Sequence, residues 1–515
     1  MQVCDSEMPY LCTVKIVLRF TIHTKTIYKT LTIYFKMKKA VFSLFALALG
    51  LIGQINNAMA QTAEKAVAIT EVFGDGQQVV AVAVKYDNVM NGRKIQSDAY
   101  SVNEIVPPEL RSTMFKKLTE PVVEKREVEK VYSNTTPEMT DHPVNGEWVI
   151  LELKKTYHHL PAFGRRDNGE KKVAPEGKSG DAPNGGPVGG GARPKKSMPL
   201  RSGIISAYKG ITRIDDFKAE VLQVKPVKTA AGKRVPAFAA PLVSTSVTNL
   251  IVDDFDQHEY VEPISGIPMA YNLFVPRNYD PSKKYPLVLF MPDAEVTGWE
   301  TTRTLTQGIG ATIWATPEEQ AKHPCFVLAP DYTVQIINDE WETNEYLDAT
   351  VALIGELTKE YSIDTNRLYT TGQSGGCMLS FAIDNKYPDL FAASLLMAGK
   401  WDPSRVSNFT NDKMWMLCGE GDKGAFPSMT SICNALREKG VRVAEAQWNG
   451  RSTPEQFNTL CAEIEKEDAP IRFVHFIEKS VFPDDEHTDG MEHLQTWRVT
   501  YTIEGVRDWL FRQHK

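Results

Sequence analysis

The sequence predicts an α/β protein: a mostly parallel sheet covered by helices on both faces, preceded by an all-β sandwich. Three observations lead there. Between residues 271 and 476, short apolar runs alternate with stretches of helical spacing, the pattern of strands buried on both faces. From about residue 64 to 243 the pattern is instead many short strands with no long helix. In the middle of the second half a strand runs into Gly372-Gln373-Ser374-Gly375-Gly376 and straight on into a helix.

The whole chain sets the outer limits. Its 515 residues suit two domains plus processing segments, and 42% hydrophobic residues are ample for a large core. A net charge of −7 offers no basic field for nucleic acid, and past the leader no apolar span is long enough for a membrane helix. Lys38-Lys39, the apolar run over residues 40–52 and Ala58-Met59-Ala60 form the three parts of a secretory signal peptide. The natural start is therefore expected at Met37, with residues 1–36 an over-extended start, residues 37–60 the signal, and cleavage after Ala60. The expected destination is outside the cytoplasm, in the periplasm or beyond the cell. Cys4 and Cys12 fall in the leader. The remaining Cys325, Cys377, Cys418, Cys433 and Cys461 have no CxxC spacing and read as buried thiols, with one bridge between Cys433 and Cys461 left open.

Residues 61–245 are assigned to the sandwich, with an immunoglobulin-like arrangement the leading form. Residues 79–84 alternate after the turn Gly74-Asp75-Gly76, a hairpin signal; residues 148–153, 203–208 and 219–224 read as further strands. His158-His159 lacks a third ligand and is read as a strand end. The insert at 164–197 is rich in glycine and too poor in apolar residues to order itself. Residues 246–515 are assigned to the α/β domain. Its strands are expected at 271–276, 285–291, 325–329, 368–371, 393–397 and 414–418, with 471–476 the last. Leu347, Val351, Ile354 and Leu357 mark one helix face; Ile503, Val506, Trp509 and Leu510 mark another.

A tight strand–turn–helix corner holds its serine in a strained backbone conformation, and glycines two before and two after it let the strand and helix approach. The helix then begins beneath the serine, its free N–H groups facing any negative charge that develops there. Ser374 is thus the candidate nucleophile, against the bland alternative of a solvated turn serine. A serine hydroxyl needs a base to take its proton and a carboxylate to orient the base. On this kind of fold the acid and then the histidine follow in chain order, each after a strand. Asp422, in Gly419-Glu420-Gly421-Asp422, is the candidate acid; Glu420 lies nearer the strand and is the poorer choice. His493 is favoured as the base, in the loop beyond the last strand and just before Trp497; His487 in the same loop is the alternative, and His475 lies within the strand itself. Gly375 supplies one backbone donor for an oxyanion, and Asp293 or Ala294 the second, since Pro292 has no N–H. Trp299, Trp341 and Trp401 follow or flank loops near the expected mouth and either line an aromatic or acyl pocket or pack the core or rim. The chemistry needs no metal and no organic cofactor.

The segments YPLVLFMPDAEVTG, FVLAPDY, YSIDTNRLYTTGQSGG, YPDLFAA, CGEGD and HLQTWRVTYTIEGVRDWLF resemble secreted bacterial α/β-hydrolases. The nearest group is the esterases with an N-terminal immunoglobulin-like domain, neighbours of feruloyl-esterase and polyhydroxybutyrate-depolymerase-like enzymes. The resemblance is dense in the C-terminal half and an outline in the N-terminal half. It implies a serine esterase acting on a small or polysaccharide-linked ester, with Ser374, Asp422 and His493 on the nucleophile, acid and base positions. Two departures stand out: Pro292-Asp293 replaces the usual His-Gly of the oxyanion loop, and Gly375-Gly376-Cys377 replaces a methionine-glycine pair under the elbow. Two other readings stay open. One is a serine peptidase of the prolyl-oligopeptidase type, although such enzymes usually carry a propeller and no repeat of roughly 40–50 residues occurs here. The other is a non-catalytic polymer-binding protein on a hydrolase fold.

Overall fold

The computed structural model describes residues 63–92, 94–111, 118–156, 204–213, 217–484 and 491–515. The leader and signal (residues 1–60), the insert at 164–197, His158, His159 and His487 lie outside the described residues. Glu64–Lys515 form one compact unit.

The N-terminal part is two facing sheets. Ala63–Phe73 and Gly76–Met90 make a long hairpin, turning at Gly74-Asp75, within a five-stranded sheet that also holds Ser246–Asn249, Gly146–Leu153 and Val128–Asn134. Tyr100–Val106, Val122–Arg126, Lys218–Gln223 and Leu242–Val243 make the second, four-stranded sheet. Alternation divides the strands: Ala81, Ala83, Trp148 and Ile150 pack together on one face of the first sheet, while fully buried Val82, Val84, Val149 and Leu151 line the other, from which Tyr86 reaches Tyr100 and Gln223 of the second sheet. Glu104 and Arg126, both fully buried, pair with each other and tie the sheets together through the backbone of Val79, whose N–H donates to Glu104 Oε1 at 2.9 Å and whose carbonyl accepts from Arg126 Nη1 at 2.8 Å. The net stabilisation of such a buried pair is small, but removing either partner would leave the other charge buried and uncompensated.

Two expectations are corrected here. The strand expected over 203–208 is replaced in the described residues by one helical turn, Ile204–Ala207, with Ile204 in the core of the C-terminal part and Ile205 63% exposed. A run of four small or apolar residues suits either form, and this one has no strand beside it to pair with. The strand Ser246–Asn249, beyond the expected boundary at 245, pairs in parallel with Ala63–Phe73 and belongs to the N-terminal sheet.

The C-terminal part is built on a nine-stranded sheet. Its order is Asp256–Val261, Pro268–Phe274, Phe326–Asp331, Tyr285–Met291, Ile363–Gln373, Ala393–Met397, Met414–Gly419, Ile471–Phe476 and Val443–Trp448. Pro268–Phe274 runs antiparallel to both its neighbours, and the other eight strands share one direction. Five of the parallel strands, Phe326–Asp331, Tyr285–Met291, Ala393–Met397, Met414–Gly419 and Ile471–Phe476, are buried at every or almost every position, as their largely apolar sequences require. Two edge strands escaped the sequence reading. Asp256–Val261 (DQHEYV) and Val443–Trp448 (VAEAQW) are half-exposed and polar, so neither shows an apolar run. The strand Ile471–Phe476 is the last along the chain, as expected, and Val443–Trp448 lies outside it at the edge of the sheet. Leu347, Ile354 and Leu357 of the helix Tyr346–Glu360, and Val506, Trp509 and Leu510 of Glu504–Phe511, are buried as the apolar spacing predicts. All five cysteines of the described part are buried and free.

Candidate active site

The site grows from the corner between the strand Ile363–Gln373 and the helix Gly375–Lys386. Ser374 sits at φ 52°, ψ −116°, a conformation that L-residues avoid. The motif glycines make that corner possible. A Cβ on Gly372 would lie 2.4 Å from Gly376 O, and one on Gly376 would lie 2.0 Å from Met291 O of the neighbouring strand. The corner is further pinned by the Ser374 N–H, which donates to Met397 O at 3.0 Å. Cys377 beneath it is fully buried, and a Cβ on Gly399 would lie 2.3 Å from its sulfur. Burial pushes its thiol well up, so it packs the elbow and is inert.

Asp422 follows the strand Met414–Gly419 and heads the helix Ala425–Glu438. It is 8% exposed; its Oδ1 accepts from Gly424 N–H at 3.0 Å and Ala425 N–H at 2.9 Å. Its Oδ2 lies 2.5 Å from His493 Nδ1, and His493 Nε2 lies 2.8 Å from Ser374 Oγ. Burial works against ionising Asp422, but the hydrogen bond and charge of His493, with the two backbone N–H groups, outweigh it and hold the carboxyl below its usual range. His493 is in the first turn of the helix Glu492–Thr500 and not in a loop, with its ring edge-on to Trp497 at 5.3 Å. Three residues far apart in sequence thus meet through two hydrogen bonds.

Glu420, the poorer acid candidate, is spent elsewhere. Its Oε1 lies 2.8 Å from His475 Nδ1 and accepts from Gln447 at 2.5 Å, and its Oε2 accepts from Glu478 N–H. His475 is in the strand Ile471–Phe476, as expected, paired with that carboxylate.

The oxyanion side is formed by the loop after the strand Tyr285–Met291. Asp293 caps a short 3₁₀ turn, Ala294–Val296, with its Oδ1 accepting from Glu295 N–H at 2.7 Å. The Asp293 N–H donates to Gln307 Oε1 at 3.3 Å, while Gln373 Nε2 donates to Asp293 Oδ2 at 3.2 Å and to the same Gln307 oxygen at 3.3 Å. Gln373, the residue before the serine, therefore ties the elbow to this loop, a role the sequence reading did not find. Ala294 N lies 3.1 Å from where a Gly375 Cβ would stand. Gly375 and Ala294 are each the first residue of their helical turns, so neither N–H has an acceptor within its own helix. Beside them, burial and the charge of Asp293 push the Glu295 carboxyl up to about 8, against the pull of Arg303.

The tryptophans divide. Trp401 is 2% exposed and stacked on Phe381 at 6.0 Å, so it is a core residue and leaves the substrate-binding set. Trp341, half-buried at φ 60°, sits in the tight turn between Asn338 and Glu342. Trp299 is half-buried just after the 3₁₀ turn of the oxyanion loop. A cavity of about 510 Å³ lies elsewhere, lined by Glu71, Phe73, Lys155, Ile251, Ile313 and Arg498 among others and by none of Ser374, Asp422 or His493. Its size alone does not make it the reaction site.

Comparisons with known proteins agree with this architecture. Residues 65–236 match the family model "Esterase Ig-like N-terminal domain", and residues 333–493 match the prolyl oligopeptidase family. The class is thereby defined: an α/β-hydrolase-type domain behind an esterase-type immunoglobulin-like domain. Across 88% of this chain and all of the other, the structure titled "Crystal Structure of a Thermostable Esterase" superposes with a TM-score of 0.63 at 24% identity, a likeness of fold. The probable acetylxylan esterase A of Aspergillus flavus is 32% identical over 81 residues, 15% of this chain and 26% of that protein. Its namesake from Aspergillus clavatus is 29% identical over 97 residues, 19% and 28% of the two chains. The chain spans about a quarter of the length of these two relatives. Among the described residues no helix is long and apolar enough to cross a membrane.

Proposed function

We propose that the protein is a serine esterase that hydrolyses carboxylic esters through an acyl-enzyme, with Ser374, His493 and Asp422 as nucleophile, base and acid. The observation that carries this reading is the continuous line from Asp422 Oδ2 through the imidazole to Ser374 Oγ, with links of 2.5 and 2.8 Å. In the first step His493 Nε2 takes the hydroxyl proton as Ser374 Oγ attacks the ester carbonyl carbon. Asp422 keeps the ring proton on Nδ1 and stabilises the imidazolium that forms. The tetrahedral oxyanion is received by the Gly375 N–H and by the Ala294 N–H. Ala294 is preferred to Asp293 because the Asp293 N–H is already given to Gln307. The alcohol leaves with the proton from Nε2. Water then attacks the acyl carbon as it gives a proton to the same nitrogen, and the acid departs as that proton returns to Ser374 Oγ.

The matches to acetylxylan esterases favour short acyl groups on a glycan as the substrates to try first, and the expected signal peptide favours an exported enzyme. The prolyl oligopeptidase match over residues 333–493 keeps a peptidase as the second reading. Against it, the N-terminal part is a two-sheet sandwich and not a propeller. The test is a set of matched ester and peptide substrates given to the wild type and to Ser374→Ala. The variant should lose on the order of 10⁶ in kcat on p-nitrophenyl acetate and acetylated xylan. Retained turnover by the folded variant would remove Ser374 from its role; faster turnover of the peptides by the wild type would favour the peptidase.

A further inference from the structure

We propose that Glu492 is a positioning residue, holding the base-bearing helix in register with the acid loop; this rests on the reading of Ser374, His493 and Asp422 given above. Glu492 is the first residue of the helix Glu492–Thr500 and is 8% exposed. A glutamate there ordinarily points back at the free N–H groups of its own helix. This one reaches away from it. Its Oε2 accepts from the Gly421 N–H at 2.8 Å, and its Oε1 accepts from the Lys479 N–H at 2.6 Å. The arrangement joins two pairs of sequence neighbours. Glu492 holds Gly421 while His493 holds Asp422, so one helical turn and one loop are fastened at two consecutive residues.

A third tie runs parallel to these, since the Gly419 N–H donates to Thr496 Oγ1 at 3.1 Å. The Lys479 bond anchors the same carboxylate to the segment that leaves the strand Ile471–Phe476. Gly421 has no side chain because there is no room for one: a Cβ there would lie 2.1 Å from Glu492 Oε1 and 2.2 Å from its carboxyl carbon. The imidazole needs its Nδ1 on Asp422 and its Nε2 on Ser374 at once, and a shift of about 1 Å in such a constellation costs about 10²-fold in rate. Glu492 restrains the shift that would slide the first turn of the helix along the acid loop.

The experiment uses the full chain and three variants. Glu492→Gln keeps the shape but turns one acceptor into a donor facing an N–H. Glu492→Ala removes both bonds, and Gly421→Ala leaves the carboxylate but displaces it. Each is measured for kcat and KM on p-nitrophenyl acetate, for the rate of fluorophosphonate labelling, and for folding by near-ultraviolet circular dichroism. The expected result is a fall in kcat of about tenfold for Glu492→Gln and about 10²-fold for Glu492→Ala. KM should stay within about twofold and labelling should slow in parallel. Gly421→Ala should follow the same pattern with its glutamate intact. Any folded variant among the three that keeps wild-type kcat and labelling rate overturns the proposal. Failure of the wild type itself to label removes the nucleophile reading, and the proposal falls with it.

Discussion

Replacing Asp422 by Asn changes one atom and should silence the site without disturbing the fold. In the wild type Oδ1 accepts from two backbone N–H groups, Gly424 at 3.0 Å and Ala425 at 2.9 Å. An asparagine must keep its carbonyl oxygen there, because the reverse orientation would press its NH₂ against two donors. That would leave each of them unmet, at about 1–3 kcal/mol apiece. The amide nitrogen therefore takes the place of Oδ2, 2.5 Å from His493 Nδ1. An NH₂ group can only donate, so Nδ1 becomes the acceptor and the ring proton moves to Nε2. Nε2, 2.8 Å from Ser374 Oγ, then presents a proton where it should take one. The expected loss is on the order of 10⁴ in kcat, or ~5.5 kcal/mol at ~1.36 kcal/mol per decade, with KM little changed. Steady-state hydrolysis of p-nitrophenyl acetate reads it, with circular dichroism as the check on folding. A folded Asp422→Asn enzyme within about tenfold of wild-type kcat would refute the tautomer argument and, with it, the role of Asp422.

Two further predictions concern stability and processing. Asp331 is 3% exposed, its Oδ2 accepts from Thr301 Oγ1 at 3.2 Å, its Oδ1 lacks a partner, and burial raises its carboxyl from 3.8 to about 7. Because the folded value is the higher one, stability present below about pH 4 is lost as pH rises through about 7. Asp331→Asn should therefore gain on the wild type between pH 4 and 8, by up to ~4 kcal/mol. Urea unfolding across that range measures the gain, and identical pH profiles for the two proteins would rule it out. Expressed with its leader in a bacterial host, the protein should be recovered outside the cytoplasm with Gln61 at its N-terminus by mass spectrometry. A product that still carries residues 37–60 would refute the export reading.

The elbow could be read directly from the chain because its demands are local. The turn that strains Ser374 needs bare backbone at Gly372 and Gly376, and the 2.4 and 2.0 Å approaches a Cβ would make at those positions are the steric reason for the motif. The strands buried along their whole length were legible for a similar reason: a strand covered on both faces is largely apolar, so the residues 285–291 and 393–397 declare themselves. Edge strands obey no such rule. Asp256–Val261 and Val443–Trp448 are polar on one side, and their pairing depends on segments far along the chain. The turn Ile204–Ala207 was misread because its form depends on what lies beside it.

By itself, then, the sequence determined the two-part architecture, the strained corner and the candidates Ser374, Asp422 and His493 in that chain order. Only the tertiary structure decided which groups meet. It put Asp422 and not Glu420 against His493, gave the Asp293 N–H to Gln307 and so left Ala294 facing Gly375, buried Trp401 in the core, and turned Glu492 toward Gly421. The physical reason is the range of the forces involved. Backbone sterics and hydrophobic periodicity act within a few residues and leave their mark in the local sequence. A hydrogen bond between residues 71 or 119 positions apart is fixed only when the packed sheet has set the distance between them.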